Sequence, residues 1–355
     1  MDDRTYTAQA LIDLADPQAV IAELCNHMLE HNAEISGEAG DVLLRLSGCS
    51  ARFSTEGALT RIDIEAPDFE HLYFARLTVA SHILEFAGEA APAICWSGDH
   101  DDAARPPNFQ ILTVTGCQDV TPHMRRITFR CENAARFARL DALHLNLLIQ
   151  QPGLAEPQWP FVGTSGIIEW KRPDLKPSLR KYTVRSVDLA TGQLDIDFVL
   201  HADAGPGSSF AETVSIGTDV GVLGPGGGGL ADADWYLFAG DETALPAIAR
   251  MLENLPADAA GITYLEVSGT AEIQNLHKPA AVDIHWLIRN GEKFGALLVE
   301  AVSATPQPQG DQNIYLWAAC EFAAFKTIRQ FARQTWKLKN ERHLVVAYWR
   351  DGKTL

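Results

Sequence analysis

Three stretches of the chain carry side chains whose types and spacing could do chemistry. The first is Leu179-Arg180-Lys181-Tyr182-Thr183-Val184-Arg185. Its β-branched and aromatic residues favour a strand. It also closes a basic run of Lys171, Arg172, Lys176, Arg180, Lys181 and Arg185, opposed only by Asp174, in a chain of net charge -17. A cationic cluster in so acidic a chain is a candidate anion site. Arg180 offers a planar fork that suits phosphate, Tyr182 an aromatic face and Thr183 a short hydroxyl. On an ideal strand Arg180 and Tyr182 share one face and Thr183 points away, so a joint role for all three needs a bend or a backbone contact.

The second stretch follows the clearest strand of the chain, Gln193–His201. Leu194, Ile196, Phe198 and Leu200 alternate there with Asp195, Asp197, Val199 and His201. It runs into Gly205-Pro206-Gly207-Ser208-Ser209-Phe210, where Ser209 and Glu212 have capping-box spacing. A helix opening after glycines presents free N–H groups and a partial positive charge to an anion. The third stretch is Gly240-Asp241-Glu242-Thr243-Ala244-Leu245-Pro246-Ala247, a turn between a strand and a helix.

Together these stretches resemble the siderophore-interacting proteins, a branch of the ferredoxin-reductase-like flavin enzymes. R-x-Y-T-x-R at 180–185, H-x-x-x-G-P-x-S at 201–208, G-P-G-G at 224–227, G-D-E-T-A-L-P-A at 240–247 and Y-W-R-x-G at 348–352 stand in the family's order. The resemblance covers about residues 110 to 352. It implies FAD held by Arg180, Tyr182, Thr183, Val184 and Arg185 on the first strand. Asp197, Val199 and His201 would join them from the next, and Gly205, Pro206, Ser208, Ser209 and Phe210 from the turn. It places Thr243 and Glu321 against the cofactor as well, with Tyr182, Thr183 and Thr243 nearest the reacting atoms.

The implied activity is reduction of ferric siderophores, with electrons from NAD(P)H or a ferredoxin. A flavin delivers these singly to Fe(III), which the chelate then holds poorly as Fe(II). Anionic chelates would be collected by Lys171, Lys176 and Lys181 and by Arg329, Arg333 and Lys337 near the last helix, although each of these cations also suits a solvated face. The alternatives are a general flavin or ferric reductase without preference for intact siderophores, and a non-catalytic siderophore-binding adaptor. Three positions depart from the family pattern. Asn146 stands where lysine is common, which predicts a different chelate preference. Phe210 replaces tryptophan and should keep its aromatic role. Cys320 replaces glycine and is expected to reshape the nicotinamide approach. No G-x-G-x-x-G joins a strand to a helix, so Rossmann dehydrogenase chemistry has no motif here.

The elements that must position these residues follow from charge and periodicity. A chain of 355 residues should hold two or three domains. Residues 1–104 carry 19 Asp/Glu against 5 Arg and no Lys, a net of -14, which leaves -3 for the other 251 residues. That acidic front half argues against a nucleic-acid partner. The boundaries read as 1–104, 108–228 and 232–355. The front module is α+β: a strand near 7–14, a helix from Asp16-Pro17 to Asn32, strands near 42–46, 51–55 and 59–65, and a helix capped by Asp68. It resembles a domain of unassigned function sometimes joined to siderophore-interacting proteins, including Ser81-His82-Ile83-Leu84-Glu85-Phe86-Ala87.

A linker spans Ser97 to Asn108. Short strands then suggest an antiparallel β-barrel, interrupted by a long loop over 151–179. From 235 onward strands and helices alternate, which implies a parallel sheet covered by helices. The turns after its first and fourth strands should matter most.

His27 and His31 stand four apart on a helix, a metal-compatible spacing. Glu30 and Glu34 flank them as on a solvated face, and the sequence supplies no third ligand, so no metal is expected. Six scattered cysteines without a C-x-x-C pair fit a reducing compartment. The acidic start, without an apolar leader or membrane span, leads to the expectation of a cytoplasmic protein.

Overall fold

The computed structural model describes residues 4–29, 31, 33–99, 105–201, 205–310 and 312–352. Part of the expected linker (100–104), the segment 202–204 before the glycine turn and the expected helix end at Asn32 lie outside the described residues. The chain divides into two compact units, residues 1–109 with 150–176, and residues 110–149 with 177–355.

In the first unit, β1 (Tyr6–Ile12), α1 (Pro17–Leu29), β2 (Glu34–Glu38), β3 (Asp41–Leu46), β4 (Cys49–Glu56), β5 (Leu59–Ala66), α2 (Phe69–Ala87) and β6 (Trp96–Gly98) follow in order. Their sheet runs β2-β3-β4-β5-β1-β6. Its antiparallel pairs bury one face: Phe53, Ile62 and Ile64 are all but inaccessible and meet Leu24, Leu72 and Ile83 of the two helices. Asp68 caps α2 as its sequence suggests, its carboxylate accepting from His71 N–H at 2.8 Å. The polar strand β2 carries no apolar alternation and was not legible in the sequence. It forms through a tight hairpin with β3 in which Gly37 adopts φ +103°.

The second unit opens with β7 (Phe109–Thr121), β8 (Met124–Cys131) and β9 (His144–Ile149). Most of the loop expected over 151–179 falls in residues 150–176, which belong to the first unit. They carry the short hairpin β10 (Phe161–Val162) and β11 (Ile168–Glu169), and Ser165 accepts the Trp96 indole N–H at 2.7 Å. The chain returns in β12 (Ser178–Asp188), β13 (Gln193–Val199), α3 (Pro206–Thr213) and β14 (Asp219–Gly226). A six-stranded antiparallel barrel closes in the order β12-β13-β8-β7-β14-β9. Its interior is filled by Leu112, Val114, Ile127, Phe129, Leu147, Ile196 and Phe198.

The rest of the unit is β15 (Trp235–Gly240), α4 (Leu245–Glu253), β16 (Ala260–Val267), β17 (Val282–Ile288), α5 (Ala296–Ala304), β18 (Ile314–Glu321), α6 (Phe322–Gln330) and β19 (His343–Trp349). All five strands are parallel, in the order β17-β16-β15-β18-β19. The chain therefore reverses its direction of winding between β15 and β18, the first and fourth strands, where such sheets open a crevice at their carboxyl ends. Alternate residues of β18 serve opposite faces: Tyr315, Trp317 and Ala319 pack with α4, while Leu316, Ala318 and Cys320 pack with α5 and α6.

No described helix is long and apolar enough to cross a membrane.

Candidate functional site

The barrel side is built by β12 and α3. Arg180 and Tyr182 share a half-buried face, as strand alternation requires, and Thr183 turns to the buried side. The register shift on β12 falls between Val184 and Ser186, past the point where a bend would unite all three. Tyr182 lies 4.3 Å, centroid to centroid, from Phe198, and Phe198 lies 5.9 Å from Phe210. Phe210 therefore extends the row of rings that starts at Tyr182. The phenol oxygen of Tyr182 sits so close to Gly207 that a Cβ there would collide with it, so only glycine lets α3 begin against this ring. Burial pushes the Tyr182 hydroxyl up to about 12, and it stays protonated.

The helix start differs from the expected capping box. Gly205 is the N-cap and Pro206 follows it, while Ser209 lies inside the helix and donates its N–H to Gly205 O at 3.0 Å. The N–H groups of Gly207 and Ser208 precede that first intrahelical bond, so they are the ones a helix start offers to an anion. The Ser208 hydroxyl instead accepts from His201 N–H at 3.2 Å. Arg180 donates to its neighbour's carbonyl, Leu179 O, at 2.9 Å and has no ion pair among the described residues. A guanidinium with no ion pair among the described residues, a helix N-terminus and a half-buried aromatic ring make a donor set suited to the pyrophosphate and ring of FAD.

Several residues expected on the cofactor are committed elsewhere. Arg185 is 8% exposed and grips Glu253 of α4 through both terminal nitrogens, at 2.8 and 2.5 Å. Asp197 gives both oxygens to Arg126, at 2.6 and 2.8 Å, with no exposed side-chain surface. Val184 donates its N–H to Leu143 O and accepts from Arg250 at its carbonyl. Arg250 also donates to the carbonyls of Phe137 and Arg139, and burial lowers its guanidinium to about 10. Arg185, Arg250 and Glu253 thus clamp the barrel to α4, a role that strand periodicity does not announce. Val199, the last residue of β13, pairs with Met124.

At the carboxyl end of the parallel sheet Asp241 is the hub. Its Oδ1 accepts from the N–H and hydroxyl of Thr243 at 3.0 and 2.5 Å, and its Oδ2 from Glu321 N–H at 3.1 Å and the Trp349 indole at 2.8 Å. One carboxylate joins the ends of β15, β18 and β19. Burial raises it to about 6 against the pull of these bonds. Asp241 stands in the G-D-E-T motif beside the expected Thr243, and an acid at a strand's carboxyl end was its one signal in the sequence. The Thr243 hydroxyl is turned to Asp241. Glu321 caps α6, its carboxylate accepting from Ala323 and Asp351 N–H groups.

Cys320 does not reshape the crevice. The strand's two-residue period sends its thiol into the core beside Ala324 and Leu298, and burial raises its pKa.

Behind Thr183, in the same unit, His144 Nε2 meets the Tyr348 hydroxyl, and Tyr348 also bonds the Thr183 side chain. Burial drops His144 to about 4, and its Nδ1 is buried beside Gly227 with no hydrogen-bond partner among the described residues. No local pattern marks His144 in the sequence.

Among the candidate chelate-collecting cations, Lys181 is exposed on β12 opposite Asn146. Arg329 lies exposed over Phe325 at 5.4 Å, Arg333 donates to His343 at 3.1 Å, and Lys337 is exposed at φ +52°. Lys171 and Lys176 are exposed in the other compact unit.

The chain matches the family models for the siderophore-interacting FAD-binding domain over 113–229 and for siderophore-interacting protein over 233–352. Residues 9–97 match an uncharacterized domain conserved in bacteria. Ferric vibriobactin reductase ViuB of Vibrio cholerae is 30% identical over 237 residues, 66% of this chain and 86% of that protein. The siderophore-interacting protein SipS from Aeromonas hydrophila aligns at 34% identity and TM-score 0.60, over 70% of this chain and 93% of that one. A siderophore utilization protein from T. fusca aligns at 34% and TM-score 0.61, over 69% and 94%. This chain belongs to the siderophore-interacting protein family, with an FAD-binding barrel followed by an α/β domain.

Proposed function

We propose that the protein is an FAD-dependent reductase of ferric siderophores. The observation that carries this reading is the meeting of Arg180, Tyr182 and the start of α3 on one side of the barrel. There Arg180, with no ion pair among the described residues, shares a strand face with the half-buried Tyr182, whose phenol meets α3 where the N–H groups of Gly207 and Ser208 are offered. The names of similar proteins support it, since ViuB is a ferric vibriobactin reductase and a further relative, 30% identical over 185 residues, is a ferric acinetobactin reductase.

In this reading Arg180 and the N-terminus of α3 neutralise the pyrophosphate, and Tyr182, braced on Phe198, presents its ring to the cofactor. FAD supplies the step from paired to single electrons that reduction of Fe(III) needs. Thr183, held by Tyr348 and His144, fixes the strand behind the ring. The carboxyl end of β15 and β18, tied together by Asp241, receives the electron donor, NAD(P)H or a ferredoxin. Thr243 and Glu321 act there by shaping the turn. Exposed Lys181, Arg329, Arg333 and Lys337 draw anionic chelates, and Lys171 and Lys176 are local cations within a unit that is acidic as a whole. Asn146, opposite Lys181, tunes the choice of chelate.

The test is an anaerobic titration: FAD-loaded protein is reduced with NADH, NADPH or reduced ferredoxin, and ferric siderophores are then added. Reoxidation of the flavin with appearance of Fe(II) is expected. A protein that takes up no FAD, or reduced flavin indifferent to every ferric chelate, would overturn the reading.

A further inference from the structure

The first unit brings together three histidines that the sequence keeps apart. His27 on α1 and His31 just beyond it approach through their Nε2 atoms, 3.3 Å apart. The His82 ring on α2 stands 4.8 Å from His27, centroid to centroid. Two nitrogens bound to one tetrahedral ion at about 2.0–2.1 Å must lie about 3.3 Å from each other, and a direct N–H hydrogen bond favours a shorter approach. The pair is therefore spaced as a chelate.

The Nδ1 of His82 lies 2.7 Å from Thr78 O. A carbonyl only accepts, so Nδ1 carries the proton and the neutral ring leaves its Nε2 lone pair for a metal. An N–H donated to a backbone carbonyl is the support that metal-bound histidines usually have. Among the described residues no group of three His, Cys, Asp or Glu is already placed to hold a metal ion, so with the His82 ring fixed by its Thr78 bond the site closes when the half-buried His27 and exposed His31 side chains swing toward His82 Nε2. Phe86 flanks both His27 and His82, at 6.2 and 5.8 Å, and walls one side of the cluster.

We propose that His27, His31 and His82 form a binding site for a divalent first-row transition-metal ion. Imidazole suits ions of this borderline class, Fe(II) among them, whereas the hard Fe(III) of a chelate prefers oxygen. The net charge of -14 on residues 1–104 adds a field that attracts cations. Only the identification of the ion as ferrous rests on the reductase reading. In that case the domain accepts the Fe(II) that its own chain releases, which prevents its recapture by siderophore.

The test uses the full chain loaded with FAD, titrated anaerobically with Co(II) as a spectroscopic probe and separately with Fe(II). One tetrahedral Co(II) per chain is expected, read in bands to the red of the flavin absorption. His27→Ala, His31→Ala and His82→Ala should each weaken binding about tenfold or more while flavin content is unchanged. His31→Gln, at an exposed position, serves if a substitution on the helices impairs folding. Equal affinity in wild type and the His27→Ala/His31→Ala double variant would overturn the site. Binding of Co(II) without Fe(II) would overturn the ferrous assignment and leave the site standing. Neither readout needs turnover, so failure of the reductase reading would leave it unchanged.

Discussion

The phenol of Tyr182 sits against Gly207, so the strand that carries Arg180 touches the start of the helix that offers its N–H groups. Gly207→Ala must push the ring or the helix aside. The expected outcome is a folded protein whose FAD affinity, measured by fluorescence titration, falls about tenfold or more. Arg180→Ala should cost a comparable amount, since charge-assisted hydrogen bonds contribute about 1.5–3 kcal/mol. Arg180→Lys should recover only part, keeping charge without the planar fork.

Arg185 separates a clamp from a cofactor contact. Its bidentate bond to Glu253 joins β12 to α4, so Arg185→Ala should lower stability by about 2 kcal/mol with little change in FAD affinity. Denaturant unfolding alongside flavin titration distinguishes the outcomes, and a large loss of FAD affinity at unchanged stability would return Arg185 to the cofactor.

Acid should weaken the fold through His144. Its imidazole is buried neutral, with a folded value of about 4 against an ordinary 6.5. The unfolded chain then binds more protons between these values, so stability is fully present above pH 6.5 and declines as pH falls toward 4. At about 1.36 kcal/mol per unit, the loss approaches about 3 kcal/mol. His144→Gln should flatten this part of the pH–stability curve, measured by urea unfolding at several pH values.

Asp241→Ala strips acceptors from Thr243, Glu321 and Trp349 at once. Leaving these buried donors unsatisfied should cost about 2–4 kcal/mol. The ends of β15, β18 and β19 should loosen, visible as faster amide exchange at Glu321 and a red-shifted Trp349 emission. Activity with the nicotinamide or ferredoxin donor should fall more than FAD binding does.

Cys320→Gly, which restores the residue usual in the family, removes a fully buried side chain from the core. It should lower stability by about 1–2 kcal/mol, from the cavity and the backbone freedom of glycine, with the donor KM unchanged. A shifted donor KM would show instead that the position does face the crevice.

Much of this molecule is written locally. The alternation at 193–199, the Asp68 cap and the succession of strands and helices after 235 specify their elements through neighbours in the chain. The order of motifs from Arg180 to Gly352 specifies the family. Two-residue periodicity even settles that Arg180 and Tyr182 share a face that Thr183 leaves. By contrast, the commitments of Arg185 to Glu253, of Asp197 to Arg126 and of Asp241 to three strand ends arise between residues far apart in sequence. No local pattern encodes such pairings, because a charged side chain reads the same whether it will meet a ligand or a distant partner. The same holds for His82, which becomes a neighbour of His27 only when two helices pack on one sheet. Burial then decides what each group does, by removing the water that would otherwise satisfy it.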